Sequence, residues 1–339
     1  MGESRPALQA RASSRAIRAG FAGRGWLRAN VRSKMRWMPS LRFVPRPKDL
    51  PAAPETGRLA LVDLAFAHGE DFERVTRPLI ARLGSRLALW VDHHDHEAWS
   101  EFRDDPRFVL VPKTTARACP ELIDPDVVAN AGTVDFVWAH ADFDGCVAAA
   151  KFLNGGDSPY PEADEDARWA DAPGQGFTIS ERGYRLASAL DEGSTALKTD
   201  PYLRLLEQVT ESLVRGHESS ELSARLDRLV EGGDRRQERL RHTYLDDLTR
   251  PHPDILVLDV DNNIERSDKK FLLREMELRA RVAVVNEKGH VTAATFDDDE
   301  ATGLDLRTVP GLRGQRGFAW GRVDVDRVVE ALAPRLGRG

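Results

Sequence analysis

The chain has 339 residues, of which 41% are hydrophobic and 31% are charged, and its net charge is −6. This is enough apolar material for a folded core, and the length predicts two compact domains rather than one. No run approaches the roughly 18 to 20 consecutive apolar residues of a membrane helix. The only cysteines, Cys119 and Cys146, are too few for a disulfide framework or a four-thiolate zinc site. We therefore expect a cytoplasmic protein with no membrane partner.

The charge is unevenly distributed along the chain. Residues 1–50 carry 12 Lys and Arg against two acids, whereas the rest of the chain has a net charge of −16. Because binding to long nucleic acid depends on neutralising phosphates, so acidic a body argues against such a partner. Residues 1–56 are predicted to be a basic, disordered tail that folding does not need. Initiation near Met35 or Met38, a transit peptide, and a nucleic-acid or membrane-surface arm are the alternatives for this segment.

From Arg58 onward, short apolar runs alternate with helical patterns. The predicted strands cover residues 59–62, 87–91, 107–111 and 134–138, and the predicted helices cover 71–83 and 145–153. Strands that alternate with helices are typical of an α/β fold with a parallel, doubly wound sheet. We assign residues 57–180 to this domain.

The rest of the chain divides into two further regions. Residues 181–250 carry only helical patterns, interrupted at Gly232-Gly233, and are predicted to form a helical connector. Residues 251–339 are predicted to form a smaller α/β domain. Its elements are a strand at 255–260, a helix at 267–280, hairpin arms at 281–285 and 291–296, and a final helix near 324–336.

The predicted strands of the first domain are followed by aspartates and histidines, which are residue types that commonly bind metal ions. They are Asp63, then Asp92-His93-His94, then His140-Ala-Asp142-Phe-Asp144-Gly145. The carboxyl ends of parallel strands form the ligand-binding edge of an open sheet, so these side chains are expected to converge. Carboxylates and imidazoles suit a divalent ion such as Mn²⁺, and so many ligands suit a pair of ions about 3.5–4 Å apart.

Each of these motifs alone also has a purely structural interpretation. An aspartate at a strand end, such as Asp63, is commonly a turn or helix cap. The pair His93-His94 could be solvated surface, and Asp142 could simply cap the N-terminus of a helix. The prediction of a metal site depends on the three motifs occurring together.

The motifs resemble those of the DHH phosphoesterase superfamily, which includes RecJ-type nucleases, nano-RNA and cyclic-dinucleotide phosphodiesterases, and family II pyrophosphatases. Val91-Asp92-His93-His94 resembles its signature third motif, and His140–Gly145 its first. Asp63 resembles its second motif, and Asp171, in Arg168-Trp-Ala-Asp171-Ala, its fourth. The order along this chain is second, third, first, fourth. A circular permutation within the domain explains that order; the alternative is that one motif is a coincidence.

The resemblance implies a hydrolase with two divalent ions, Mn²⁺ in the first place and Mg²⁺ or Co²⁺ as alternatives. The implied ligands are His140 and Asp142 for one ion, Asp144, His93 and Asp171 for the other, and Asp63 as the bridge between them. His94 would face the substrate phosphate or the leaving oxygen. Asp92 would orient His93 through the second nitrogen of its ring.

The C-terminal domain resembles, more faintly, the substrate-gripping domain that accompanies DHH domains. Family members carry a glycine-rich loop with a histidine there, whereas this chain places Arg313, Arg316 and Arg322 among glycines. Glycines let the backbone approach a phosphate closely, and arginines bind it bidentately. We therefore expect these arginines to bind substrate; a surface hairpin with solvated arginines is the alternative.

Together these features predict a metal-dependent phosphoesterase or phosphodiesterase that acts on a small phosphorylated substrate, such as a nucleotide or a short oligonucleotide. One alternative is a non-catalytic DHH-like protein that binds a nucleotide as a sensor. Another rests on Asp259-Val-Asp261, which resembles the nucleophile strand of haloacid dehalogenases. That motif normally has Thr or Val two residues after the second Asp, where this chain has Asn263.

Overall fold

The computed structural model describes residues 38–171, 178–295, 304–315 and 317–337. Apart from Met38, all of these belong to one compact unit, Pro39–Gly339. This unit contains two β-sheets, one of five and one of six strands, with helices packed on both faces of each.

All strand pairs of the first sheet are parallel. The strands are β1 (Ser40–Val44), β2 (Leu59–Val62), β3 (Leu87–Asp92), β4 (Phe108–Leu110) and β5 (Phe136–His140). Their order in space is β1-β5-β2-β3-β4. Because β5 lies between β1 and β2, the strand that ends at His140 is beside the strand that precedes Asp63. This neighbour relation brings motifs that are distant in sequence to one edge of the sheet.

Helices cover both faces of this sheet because successive side chains of a strand point to opposite faces. The helices are α1 (Arg77–Leu83), α2 (Pro125–Ala131), α3 (Phe143–Leu153), α4 (Ala163–Asp171), α5 (Glu181–Ala196), α6 (Thr199–Arg215) and α7 (Ser220–Tyr244). Val62 and Val91 pack with α3, α5 and α6 on one face, while Leu61 and Trp90 pack with α1 on the other. The predicted α/β class with a parallel sheet is confirmed.

Two details of the predicted helical connector are wrong. Leu186, Leu205 and Val209, from α5 and α6, are fully buried in the same core as the first sheet, so these helices are one of its layers. The predicted break at Gly232-Gly233 lies inside the continuous helix α7. A Cβ at Gly233 would be 3.5 Å from that of Glu192 on α5, an ordinary contact distance, so the packing of these two helices does not require the glycine.

The prediction of a disordered tail over residues 1–56 is wrong for its last part. Residues 40–44 form β1, which pairs with β5 along its whole length. Phe43 and Val44 are 3% and 2% exposed and pack on opposite faces of the sheet. The Val44 carbonyl oxygen also accepts a hydrogen bond from the Ala141 N–H at 3.1 Å. This segment therefore supports the chain between His140 and Asp142.

The second sheet is mixed, with one parallel pair. Its strands are β6 (Thr249–His252), β7 (Ile255–Val260), β8 (Val282–Glu287), β9 (His290–Ala294), β10 (Arg313–Gln315) and β11 (Phe318–Arg322), in the order β10-β11-β9-β8-β7-β6. Helix α8 (Arg266–Glu277) packs on one face and α9 (Val325–Leu336) on the other. The predicted hairpin is β8–β9, which turns at Lys288 and Gly289, both with positive φ as such tight turns require. Residue 296, the predicted end of its second arm, lies outside the described residues.

The ranges that the structure describes contain no helix long and apolar enough to cross a membrane.

Candidate metal centre

Asp63 lies directly after β2, at the carboxyl edge of the first sheet. Its φ is +57°, a left-handed conformation that Asp and Asn adopt more readily than other non-glycine residues. Its N–H donates to the Val91 carbonyl oxygen at 2.9 Å, which fixes the turn against β3. The side chain is 1% exposed, and within the described ranges neither carboxylate oxygen has a hydrogen-bond partner.

The imidazole of His93 is fully buried, and its Nδ1 lies 3.0 Å from the Ala116 carbonyl oxygen. Because a carbonyl can only accept, Nδ1 carries a proton, and in the neutral imidazole Nε2 then presents a lone pair. This Nε2 is 3.4 Å from Asp63 Oδ1, 3.5 Å from Asp144 Oδ2 and 3.5 Å from Asp171 Oδ2. It has no hydrogen-bond partner among the described residues. A buried lone pair that faces three carboxylates is unfavourable unless a cation lies between them.

His140 and Asp142 reach the same edge from β5 and the start of α3. Asp142 caps α3 through Oδ1, which accepts the Gly145 N–H at 2.9 Å, while Oδ2 is 2.9 Å from His140 Nδ1. The structural and the metal-binding interpretations of Asp142 are therefore compatible, because each uses a different oxygen. His140 Nδ1 is 3.8 Å from Asp63 Oδ2. We call Asp63, His140 and Asp142 the first half-site; one donor atom from each lies within 4.8 Å of the others.

Gly145 is what allows β5 and α3 to meet this closely. A Cβ at this position would stand 2.1 Å from the His140 carbonyl oxygen, which no side chain can accommodate. The glycine of the His140–Gly145 motif is therefore explained by the path of the backbone around the two candidate ligands.

His93, Asp144 and Asp171 form a second half-site, again with one donor atom from each within 4.8 Å of the others. Asp144 is 2% exposed; its Oδ2 accepts the Cys119 N–H at 3.2 Å, and its Oδ1 has no hydrogen-bond partner in the described ranges. Asp171, at the end of α4, forms an ion pair with the Lys113 ammonium. The Lys113 Nζ also donates to the main-chain oxygen of Asp171 at 3.2 Å.

The predicted partner of Asp92 is wrong. Asp92 Oδ1 is 2.8 Å from His94 Nδ1 and accepts the His94 N–H at 3.1 Å, whereas the Nδ1 of His93 uses the Ala116 carbonyl. The reason is local, because residues two apart in an extended segment point to the same side. Asp92 therefore fixes the ring of His94 and leaves its Nε2 for contacts with a ligand.

Burial and mutual repulsion give these carboxylates unusual acidities. Burial, with a contribution from the charge of Asp142, raises the pKa of Asp63 well above its usual range. Burial and the charge of Asp63 likewise raise the pKa of Asp144. Burial lowers the pKa of His140, but the charge and hydrogen bond of Asp142 outweigh it and raise that pKa to about 9. The site thus gathers more buried negative charge than its own side chains neutralise.

The arrangement fits divalent metal ions. The unpartnered donors of Asp63, His93 and Asp144 are carboxylate oxygens and an imidazole nitrogen, which are ligands that Mn²⁺ accepts. Cations at these positions would supply the partners that the buried atoms otherwise lack.

A cavity of about 600 Å³ opens beside His140 and Asp142. One of its walls is α8, which contributes Arg266, Lys270 and Arg274. Because these three cations are spaced four residues apart, they lie along one face of the helix. The cavity therefore lies between the carboxyl edge of the first sheet and helix α8, and acidic side chains, among them Asp191, Glu192 and Asp268, line it together with these cations.

The substrate-binding role predicted for the arginines of the C-terminal hairpin stays a prediction. Arg313 and Arg322 are exposed residues of β10 and β11, and neither lines the cavity. Arg316 lies outside the described residues. The alternative site around Asp259 and Asp261 is exposed, and the Asp259 carboxylate accepts a hydrogen bond from Asn286 at 2.7 Å.

No family model matches the sequence, and a search of curated proteins finds no significant match. A comparison with solved structures does find similar chains. A RecJ exonuclease bound to manganese is 17% identical; the match covers 82% of this chain and 73% of that one, with a TM-score of 0.39. PggH from Vibrio cholerae, a pGpG-specific phosphodiesterase, is 12% identical; the match covers 83% and 99%, with a TM-score of 0.42. Both likenesses are distant, and we therefore infer function from the side chains of the site.

Proposed function

We propose that this protein is a metal-dependent phosphoesterase that hydrolyses a phosphoester or phosphodiester bond in a small nucleotide or a short oligonucleotide. The observation that carries this proposal is the set of buried donor atoms without partners, on Asp63, His93 and Asp144, at the carboxyl edge of a parallel sheet. A site that only stabilised the fold would pair such atoms with hydrogen-bond donors or with cationic side chains.

Divalent ions bound there would supply Lewis acidity and lower the pKa of water, which is the chemistry that phosphoester hydrolysis requires. Asp63 is the residue best placed to serve both half-sites, since it approaches His93 through Oδ1 and His140 through Oδ2. The hydrogen bond from His93 Nδ1 to Ala116 keeps the lone pair of Nε2 directed at the carboxylates. The protein thus holds its donors in position before an ion arrives.

His94 is placed to handle a proton. Its Nδ1 stays with Asp92, so the exchange of a proton with the substrate or the leaving oxygen falls to Nε2. We expect His94→Ala to lower kcat roughly 10²-fold, the usual contribution of a positioned acid or base. The affinity of the first half-site for Mn²⁺, measured by isothermal titration calorimetry, should be unchanged. Wild-type kcat in this variant would exclude the role.

The substrate class follows from the cavity. Three cations of α8, Arg266, Lys270 and Arg274, line it together with His140 and Asp142, so an anionic group beyond the scissile phosphate can bind there. Arg274 is already held in place, since its guanidinium lies 3.3 Å from the centre of the Trp169 ring and donates to the Trp169 carbonyl oxygen at 3.0 Å. Cations in this position favour a substrate with a second phosphate, for example a 5′-phosphorylated dinucleotide.

Lys270→Ala tests this assignment. We expect it to raise KM about tenfold for a 5′-phosphorylated dinucleotide, which is the size of one partly solvated charged hydrogen bond. The KM for the same dinucleotide without the terminal phosphate should change little. Arg322→Ala is the matched control, because Arg322 is an exposed cation of β11 that is not among the residues lining the cavity. A selective rise in KM for Arg322→Ala alone would instead assign the phosphate contact to the C-terminal hairpin.

The direct test of the proposed function is an activity assay on the purified chain. With Mn²⁺ it should hydrolyse at least one of a set of dinucleotides, cyclic dinucleotides, short RNAs and simple phosphodiesters. Removal of the ion with EDTA should stop the reaction, and added Mn²⁺ should restore it. Binding of these compounds without any turnover would instead identify a nucleotide-binding protein.

A further inference from the structure

We infer that Lys113 is a built-in cation of the second half-site that competes with a divalent ion for Asp171, so that the two half-sites bind metal ions with unequal affinity. Lys113 lies in the loop after β4, and nothing in its sequence context marks it as part of a metal centre. The inference rests on the metal centre of the proposed function and concerns how that centre fills.

The two cations would need the same atom. Asp171 Oδ2 is the oxygen that lies 3.5 Å from His93 Nε2, and it is also the oxygen that the Lys113 ammonium contacts. A metal ion that takes this oxygen as a ligand must therefore accept a positive charge a few ångströms away, or displace it. Either event makes binding of the ion less favourable.

The ammonium is firmly placed. Besides the carboxylate, Lys113 binds the main-chain oxygen of Asp171 at 3.2 Å, so it is tied to the end of α4 in two ways. The side chains of Lys113 and Asp171 are only 18% and 17% exposed, and solvent therefore screens their interaction weakly. To move away, Lys113 would have to break both contacts.

In the part of the chain that the structure describes, no lysine or arginine forms an ion pair with a carboxylate of the first half-site. Among the described residues, the cation that acts on Asp142 besides His140 is Lys270, an exposed side chain across the cavity. Its charge is accessible to solvent and to an incoming anion, and it does not occupy a donor atom of the site. We therefore expect the first half-site to fill first and the second to fill only at higher concentrations of the ion.

The test is an equilibrium titration of the metal-free protein with Mn²⁺, in which electron paramagnetic resonance measures the free ion. The wild type should bind one ion tightly and a second at least about tenfold more weakly, as expected for a nearby like charge. Lys113→Met, which keeps the length of the side chain and removes the charge, should tighten the second ion about tenfold and leave the first unchanged. Lys113→Arg should behave as the wild type.

Lys151→Met is the matched control, because Lys151 is a buried lysine that is paired with an aspartate, Asp164, outside the half-sites. It should leave both affinities unchanged. Equal affinities for two ions in the wild type would overturn the inference whether or not the variants fold, and would leave the proposed function intact. Weaker or absent binding of the second ion in Lys113→Met would overturn it too, since Lys113 would then present Asp171 to the ion. If the wild type binds no Mn²⁺, both the inference and the proposed function fail.

Discussion

Asp63→Asn should abolish activity and leave the fold intact. We expect kcat/KM to fall by about 10³-fold or more, because the substitution removes the carboxylate charge that both half-sites share. Asn adopts the left-handed backbone conformation of Asp63 about as readily as Asp does, so φ of +57° should persist. Steady-state kinetics with Mn²⁺ and a circular dichroism spectrum measure the two outcomes.

The stability of the metal-free protein gives a second readout for the same variant. A carboxyl whose pKa is raised on folding, as that of Asp63 is, stabilises the fold below its unfolded pKa and loses that contribution as the pH rises through the folded value. At pH 7 the metal-free wild type therefore bears a cost that a neutral amide side chain avoids, so we expect Asp63→Asn to melt at an equal or higher temperature. This advantage should shrink towards about pH 4, where the free carboxyl is protonated as well.

Asp259→Asn is the control for the loss of activity, since Asp259 is an exposed aspartate near the end of β7 in the second sheet. It should retain wild-type kcat/KM. If Asp259→Asn inactivates the enzyme and Asp63→Asn does not, the chemistry takes place at the second sheet.

Phe43→Ala should lower the unfolding free energy more than any of the other substitutions. Phe43 is 3% exposed in the main core, and removing a buried phenyl ring typically costs about 3–5 kcal/mol of unfolding free energy. Chemical denaturation measures this change directly. Arg42→Ala, on the same strand but exposed, should change the unfolding free energy by less than about 0.5 kcal/mol.

Removal of the N-terminal segment should also destabilise the fold. A chain that lacks residues 1–50 loses β1, and with it the hydrogen bond from Ala141 to Val44 beside the first half-site. We expect such a chain to be unstable and to bind Mn²⁺ weakly. If it instead melts and binds Mn²⁺ as the full chain does, β1 contributes nothing to the core.

The sequence predicted the first sheet well because its central strands are continuous apolar runs, as buried parallel strands are. β1 was missed for a physical reason. It lies in a segment rich in arginine, is only partly buried, and acquires its partner β5 from far along the chain. No local pattern reports a pairing of this kind.

The convergence of the candidate ligands could be predicted because one rule, that parallel strands end at a common edge, applies to Asp63, His93 and His140 alike. The pairing of Asp92 with His94 could also have been predicted, because side chains two residues apart in an extended segment point to the same side. The position of Lys113 beside Asp171 could not be predicted, because a single lysine in a loop belongs to no periodic pattern. The face that Arg266 and Lys270 present depends on how α8 packs on the second sheet, which spacing alone does not determine.

Diffraction data collected at the manganese absorption edge, from crystals grown with Mn²⁺, would locate the ions independently of any substrate. We expect an anomalous peak within about 2.5 Å of the Asp63 carboxylate, the distance at which oxygen ligates a divalent ion. A donor atom of His140 or His93 should lie at a similar distance from the same peak. Crystals of Asp63→Asn should lack the peak. A wild-type map with no peak between these residues, or with its strongest peak on another part of the protein, would contradict the assignment of this edge of the sheet as a metal centre.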